Sequence, residues 1–246
     1  MDSANTTIRH RGIYLLPNLF TTGALFAGFY AIISAVNQHY ETAVITIFIA
    51  MVLDGLDGRV ARLTHTQSEF GAQYDSLSDM VSFGAAPALV MYLLAFADLG
   101  RLGLFAAFVH TAGAALRLAR FNTQLETADK RYFQGLANPA AAAILAGFIW
   151  ICLEHNYTSA SVKYLAVFLT VGTGLLMVSN FRYSSFKSVD PKGKVPFFAA
   201  IVIMLVVAFV MAQPQTMLFL LFLAYAISGP LFTWIQRKRI MRERKN

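Results

Sequence analysis

Hydrophobic residues occupy long, mostly uncharged stretches of the chain, and charged and turn-forming residues fall between them. A helix rises 1.5 Å per residue, so about 20 apolar residues cross the hydrocarbon core of a bilayer. Polar and apolar residues do not alternate in these stretches, as they would in a membrane barrel. The pattern therefore predicts an all-α, polytopic membrane protein with about eight transmembrane helices. The predicted helices cover residues 13–36, 42–62, 70–96, 102–121, 137–154, 161–179, 195–212 and 216–235.

Composition agrees with a membrane location. Of the 246 residues, 57% are hydrophobic and only 13% are charged, whereas soluble globular domains average about 25% charged residues. The single cysteine, Cys152, excludes an intrachain disulfide and does not indicate a redox compartment.

Lysine and arginine residues are unevenly distributed between the two predicted sides of the membrane. With an even number of helices, one side carries both termini and every Lys and Arg except Arg101 and Lys163. By the positive-inside rule that side is cytoplasmic, so we expect residues 1–12 and the basic tail 236–246 in the cytoplasm. The net charge of +7 could suggest nucleic acid, but the basic residues are distributed as a membrane topology signal, so nucleic acid is not an expected partner.

Four aspartates interrupt the hydrophobic pattern at the predicted cytoplasmic ends of two neighbouring helices. Asp54 and Asp57 are three residues apart and Asp75 and Asp79 are four apart, so each pair shares one helix face. Four carboxylates in one partly desolvated place repel each other unless cations join them. Mg²⁺ binds carboxylates together with substrate phosphates, so the pattern predicts a two-cation site for a diphosphate.

Residues beside the aspartates suit a phosphate ligand as well. Gly55, Gly58 and Gly71 leave the backbone open to close approach, and the Arg62 guanidinium can bind a phosphate bidentately. The alternative is that the acids belong to the ion path of a cation transporter. Such sites usually lie near the bilayer midplane on broken helices, whereas these acids gather at one membrane face.

The stretch DGLDGRVARLTHTQSEFGAQYDSLSD, residues 54–79, fits the pattern D-x-x-D-G-x-x-A-R-x8-G-x3-D-x3-D without a gap. It resembles the signature of the CDP-alcohol phosphatidyltransferases. The resemblance implies that an alcohol attacks the β-phosphate of a CDP-linked lipid, giving a phosphodiester lipid and CMP. It also implies that Asp54, Asp57, Asp75 and Asp79 hold two Mg²⁺ or Mn²⁺ ions, with Asp79 as the general base.

A second group of residues is expected to contact the CDP-lipid. The resemblance assigns Gly58, Ala61 and Arg62 to the cytidine diphosphate. Asn18 and Thr21 lie one turn apart on the first predicted helix, where they can line the same cleft. The alternative for those two is hydrogen bonding between helices. The expected CDP-lipid contacts are Gly58, Ala61, Arg62, Gly71, Asn18 and Thr21.

Four further stretches resemble the family members that use L-serine as the acceptor: LPNLFTTGALFAGFYA (16–31), VSFGAAPA (81–88), LRLARFN with FQGLANPAAA (116–122 and 133–142), and MVSNFRYSSFK (177–187). They imply CDP-diacylglycerol as the donor and a homodimer in the bacterial inner membrane. They further imply a six-helix catalytic core at 13–194, followed by two additional helices at 195–235.

Serine itself sets requirements for its pocket. The zwitterion needs a cation for its carboxylate and acceptors for its ammonium group, and the predicted cytoplasmic side offers both. The expected serine contacts are Arg120, Arg117, Asn122, Asn138, Arg182 and Lys187. The alternatives are that the basic residues only meet lipid headgroups, or that the acceptor is glycerol 3-phosphate, an inositol phosphate or choline.

Overall fold

A computed structural model of the chain describes residues 2–64, 66–124, 132–157, 159–184 and 211–243, together with Met204 and Phe209. These residues form seven helices and one pair of short strands. Helices α1 to α7 are Asp2–Val36, Tyr40–Leu63, Glu69–Leu99, Arg101–Gln124, Asn138–Glu154, Ala160–Val178 and Pro214–Glu243. Strands β1 and β2 are Tyr132–Gln134 and Arg182–Ser184.

The first six predicted helices correspond to α1–α6, and the predicted eighth corresponds to α7. Helix α1 begins at Asp2 rather than near residue 13, because hydropathy marks only the part of a helix that can lie in a bilayer. The predicted seventh helix, 195–212, lies largely outside the described residues.

Five of the described helices are long and apolar enough to cross a membrane: α3 and α6 over their full lengths, and α1, α4 and α7 over Leu16–Val36, Arg101–Thr123 and Pro214–Ile235. Helix α5 is apolar but has only 17 residues. Helix α2 carries charged residues through its C-terminal half, among them Asp54 and Asp57. The chain is therefore a multi-pass membrane protein.

Helix α5 lies at the centre of the fold. Its residues from Ala140 to Ile149 are all buried, and α2, α6 and α7 pack on it. Because small residues let helix backbones approach closely, the run Ala140–Ala143 allows several neighbours around one short helix. Around this centre α1 packs along α2, and α4 packs along α6.

Helix α3 changes its winding directly after the second pair of aspartates. It is regular from Glu69 to Asp79 and then contains a wider, π-helical turn at Met80–Ala85. Helix α4 contacts this turn, since His110 Nε2 lies 3.2 Å from the Phe83 carbonyl oxygen. π-helical turns often occur at functional sites, and here the turn and its contact with α4 hold the helix just beyond the acids.

The two strands were not predicted from the sequence. They pair antiparallel, with Phe133 opposite Tyr183, and so join the segment before α5 to the segment after α6. Tyr183 is fully buried, and its hydroxyl donates to the Ala226 carbonyl oxygen of α7 at 3.0 Å. Strands of three residues show no periodicity that a sequence pattern can reveal.

Candidate active site

The C-terminal half of α2 and the first turns of α3 bring the aspartates together. Carboxylate oxygens of Asp54, Asp57 and Asp75 all lie within 4.8 Å of one another. Asp79, one turn after Asp75, contacts Asp54 between the two helices. The predicted convergence of the two pairs is therefore present in the fold.

The start of α3 is set by an N-cap. The Ser68 hydroxyl accepts a hydrogen bond from the Gly71 N–H at 3.0 Å, which pairs one of the free donors of the first turn. A Cβ at Gly71 would lie 3.1 Å from that hydroxyl and 3.6 Å from the Asn18 Oδ1 atom. Glycine at this position therefore leaves room for the capping hydroxyl of Ser68.

Helix α1 orients one of the acids directly. The buried Thr21 hydroxyl donates to Asp57 Oδ2 at 2.6 Å, a short distance that is typical of a hydrogen bond to a charged carboxylate. The Ser78 hydroxyl of α3 donates to the Thr21 carbonyl oxygen at 3.1 Å. Thr21 thus forms the interhelical hydrogen bonds that were its alternative role, and its contact with the CDP-lipid stays a prediction.

The residues present fit divalent cations. Asp75 Oδ1 is buried and has no hydrogen-bond partner among the described residues. An unpaired buried acceptor costs about 1–3 kcal/mol, and more when it is charged. Mg²⁺ and similar hard cations take carboxylate oxygens as ligands, so a cation among these aspartates would supply the missing partner.

One side of the acidic cluster is open. A Cβ added at Gly55 or Gly58 would meet no atom within 4 Å. Arg62 is exposed and Ala61 half-buried on the next turn of α2. The surface beside the carboxylates therefore has room for a ligand.

Another side of the cluster is basic. Arg117 of α4 interacts electrostatically with Asp79, and its Nη1 atom donates to Asn138 Oδ1 at 3.3 Å. Asn138, the first residue of α5, is fully buried. Two of the residues expected to bind serine therefore lie together beside the predicted base.

Arg120 is held mainly by the backbone. Its guanidinium donates to oxygens that lie before α5, in the last turn of α6 and directly after α6. These acceptors are the carbonyls of Val178, Gln134, Met177 and Ser179, and Asn180 Oδ1, at 3.1 to 3.5 Å. The arginine thus joins the C-terminal end of α6 to the β1 segment, and its contact with serine stays a prediction.

The other predicted serine contacts lie in different surroundings. The Asn122 side chain bonds to Gln73 at 3.1 Å and to Ser76 at 3.2 Å, linking α4 to α3. Arg182 is exposed on β2, and its backbone N–H donates to Thr233 Oγ1 at 3.0 Å. Lys187 lies outside the described residues.

Sequence reasoning missed the polar face of α3 that packs on α1. Tyr74 contacts the Thr22 hydroxyl at 3.0 Å, and Ser78 and Ser82 donate to α1 carbonyls. Their four-residue spacing was the available signal, since it marks one helix face.

Comparison with known proteins agrees with this geometry. Residues 14–172 match the family described as CDP-alcohol phosphatidyltransferase. A CDP-diacylglycerol–serine O-phosphatidyltransferase of Helicobacter pylori is 36% identical over 225 residues, which are 91% of this chain and 94% of the relative. Proteins of the same name from Mycobacterium leprae and Bacillus subtilis are 30% and 32% identical, over 96% and 70% of this chain and 80% and 91% of theirs. The chain therefore belongs to the CDP-alcohol phosphatidyltransferase family.

Proposed function

We propose that this protein transfers the phosphatidyl group of CDP-diacylglycerol to the hydroxyl group of L-serine and releases CMP. The observation that carries the proposal is the convergence of the signature carboxylates on one site. The serine acceptor is supported by relatives named as serine phosphatidyltransferases along most of the chain.

The proposed cofactor is a pair of divalent cations, Mg²⁺ or Mn²⁺. Asp54, Asp57 and Asp75 would hold them, with Asp79 as a further ligand of the second ion; the buried, unpaired Asp75 Oδ1 atom supports this assignment. Bound there, the cations neutralise the carboxylates and polarise the diphosphate.

Asp79 is the proposed general base. It interacts with Arg117, a proposed serine contact, so a serine bound there would bring its hydroxyl group toward Asp79. As the serine oxygen bonds to the β-phosphorus, Asp79 accepts the hydroxyl proton. The bond from that phosphorus to the CMP oxygen breaks, and CMP leaves with the electron pair.

The CDP-lipid would occupy the open side of α2. Room beside Gly55 and Gly58 supports this placement, and the exposed Arg62 is suited to the diphosphate. The other proposed contacts are Ala61, Gly71, Asn18 and Thr21. The lipid tails would leave sideways into the bilayer.

We also propose that the site faces the cytoplasm of the bacterial inner membrane, in an eight-helix homodimer with both termini on that side. Helix α7 supports an even helix count, because Phe219 packs at Gly147 in the middle of α5. Ala226 of α7 belongs to the same hydrophobic cluster as Leu136, just before α5, and Ala140 in the first turn of α5. Helix α7 thus runs antiparallel to α5 and ends on the side of the aspartates.

The deciding experiment measures incorporation of radiolabelled serine into lipid by the purified full-length protein. We expect labelled lipid and an equal amount of CMP only when CDP-diacylglycerol and a divalent cation are both present. EDTA should abolish the reaction, and added Mg²⁺ or Mn²⁺ should restore it.

The acceptor and the reaction class are tested in the same assay. CMP release with glycerol 3-phosphate, an inositol phosphate or choline, but not with serine, would contradict the serine assignment. Ion flux in proteoliposomes without CMP formation under any condition would instead indicate a transporter.

A further inference from the structure

Two buried nitrogen atoms have no hydrogen-bond partner among the described residues: Arg117 Nε and Asn138 Nδ2. Arg117 interacts with Asp79 and donates to the Asn138 side chain. A guanidinium group only donates, so the Asn138 amide must turn its oxygen toward Arg117. Its NH2 group is therefore left for a partner other than the Arg117 Nη1 atom. Because buried donors are normally paired in folded proteins, these two indicate a ligand that presents acceptor oxygens.

The charge at this place suits one carboxylate. Arg117 contributes a single cation, and Asn138 adds a neutral donor. The nearby Arg120 already donates to carbonyl oxygens with both Nη atoms. A phosphorylated acceptor, which carries more negative charge, would require more cations than the described residues gather here.

The last helix also reaches this place. Tyr225 of α7 interacts electrostatically with Arg117, and its ring lies 5.3 Å from the ring of Tyr183. It packs in the same hydrophobic cluster as Leu136 and Met80. In the chain, Leu136 lies two residues before Asn138, and Met80 directly follows Asp79. Helix α7 lies outside residues 14–172, which match the family.

We propose that Arg117 and Asn138 bind the carboxylate of the acceptor amino acid, and that Tyr225 of α7 is a specificity-determining residue of the same pocket. The inference rests on the proposed function and extends it. It assigns Asn138 to the carboxylate rather than to the ammonium group, and it makes the last helix part of the acceptor site instead of packing alone.

Kinetics of the full-length protein test the proposal with serine and with ethanolamine, which lacks the carboxylate. In Asn138→Asp an acidic group replaces the NH2 donor and repels the carboxylate, so we expect the preference for serine over ethanolamine to fall by about 100-fold. In Tyr225→Phe we expect the KM for serine to rise about tenfold, with the KM for CDP-diacylglycerol and the thermal midpoint unchanged. Tyr164→Phe, an exposed position on α6, is the matched control and should behave as wild type.

Two results would overturn the inference. One is an equal change in the KM for serine and the KM for CDP-diacylglycerol; the other is a lowered thermal midpoint with an unchanged preference for serine. Either result would indicate that Tyr225 and Asn138 are only packing residues. If the wild type uses serine and neither variant alters the preference, the inference fails alone. If the wild type releases no CMP with serine, the proposed function fails. In that case the thermal midpoint still tests the pocket. If serine stabilises the wild type but not Asn138→Asp, the pocket is supported; if serine stabilises both equally, the pocket is refuted.

Discussion

The four aspartates of the site have different surroundings, and these differences suit different roles. Asp57 is held by the Thr21 hydroxyl from α1, whereas Asp75 keeps one buried oxygen without a partner among the described residues. Asp79 lies toward Arg117 on α4. The orienting hydrogen bond of Asp57 and the unpaired oxygen of Asp75 suit cation ligands, while the position of Asp79 beside Arg117 suits a proton acceptor.

Replacement of Asp79 by asparagine tests the general base. Asparagine keeps the shape and an acceptor oxygen but takes no proton at neutral pH. We expect turnover to fall by about 10²–10⁴-fold, with binding of CDP-diacylglycerol largely retained. CMP release and equilibrium binding of the lipid are the two measurements.

Asp98→Asn is the matched control for this variant. Asp98 lies at the other end of α3, exposed and paired with Lys163, so its loss should leave turnover near wild type. Lost lipid binding together with normal residual turnover in Asp79→Asn would contradict the assignment of the base.

At the scale of elements, α4 and α6 touch through their backbones. A Cβ at Gly174 would lie 2.7 Å from the Val109 carbonyl oxygen and 2.9 Å from the His110 Cα atom. His110 is fully buried at this crossing, with Nδ1 2.9 Å from the Thr173 hydroxyl. The contact fixes α4, and therefore the helix that carries Arg117, against α6.

Substitution of Gly174 by alanine should therefore destabilise the protein. The added methyl group meets backbone, which cannot rotate away, and overpacking of this kind costs about 1–3 kcal/mol. The thermal midpoint in detergent measures the effect. On the same helix, a Cβ at Gly172 would meet nothing within 4 Å, so Gly172→Ala should be neutral or slightly stabilising. Equal effects of the two substitutions would argue against the close crossing.

At the scale of the whole molecule, the proposed orientation places the loop between α5 and α6 on the far side of the membrane from the aspartates. Asn156 in this loop, Asn180 after α6 and Lys238 near the end of α7 are all exposed. The only cysteine, Cys152, is buried, so single cysteines can be introduced in a Cys152→Ala background.

Labelling with a membrane-impermeant maleimide tests this orientation. In intact cells we expect Asn156→Cys to react, and Asn180→Cys and Lys238→Cys to react only after the membrane is permeabilised. The same side for residues 180 and 238 requires an even number of crossings between them. Labelling of Lys238→Cys in intact cells would contradict the eight-helix topology.

The sequence by itself determined that this is a helical membrane protein, and it located helices α1–α6 and α7. It also determined that the two aspartate pairs meet. Hydropathy and helical spacing are local properties, and a loop of a few residues between α2 and α3 leaves those helix ends little freedom to separate. The meeting of the two carboxylate pairs therefore follows from the pattern of residues 54–79 alone.

Only the tertiary structure decided what the residues far apart in the chain do. Arg120 donates to backbone oxygens of residues 134 and 177–179. The Asn138 amide oxygen accepts a hydrogen bond from Arg117, and Tyr225 of the last helix interacts with the same arginine. No local pattern encodes these contacts, because each depends on how distant helices cross around α5. The sequence of one short segment was enough to predict the acidic site, whereas the proposed acceptor pocket forms only when distant helices pack together.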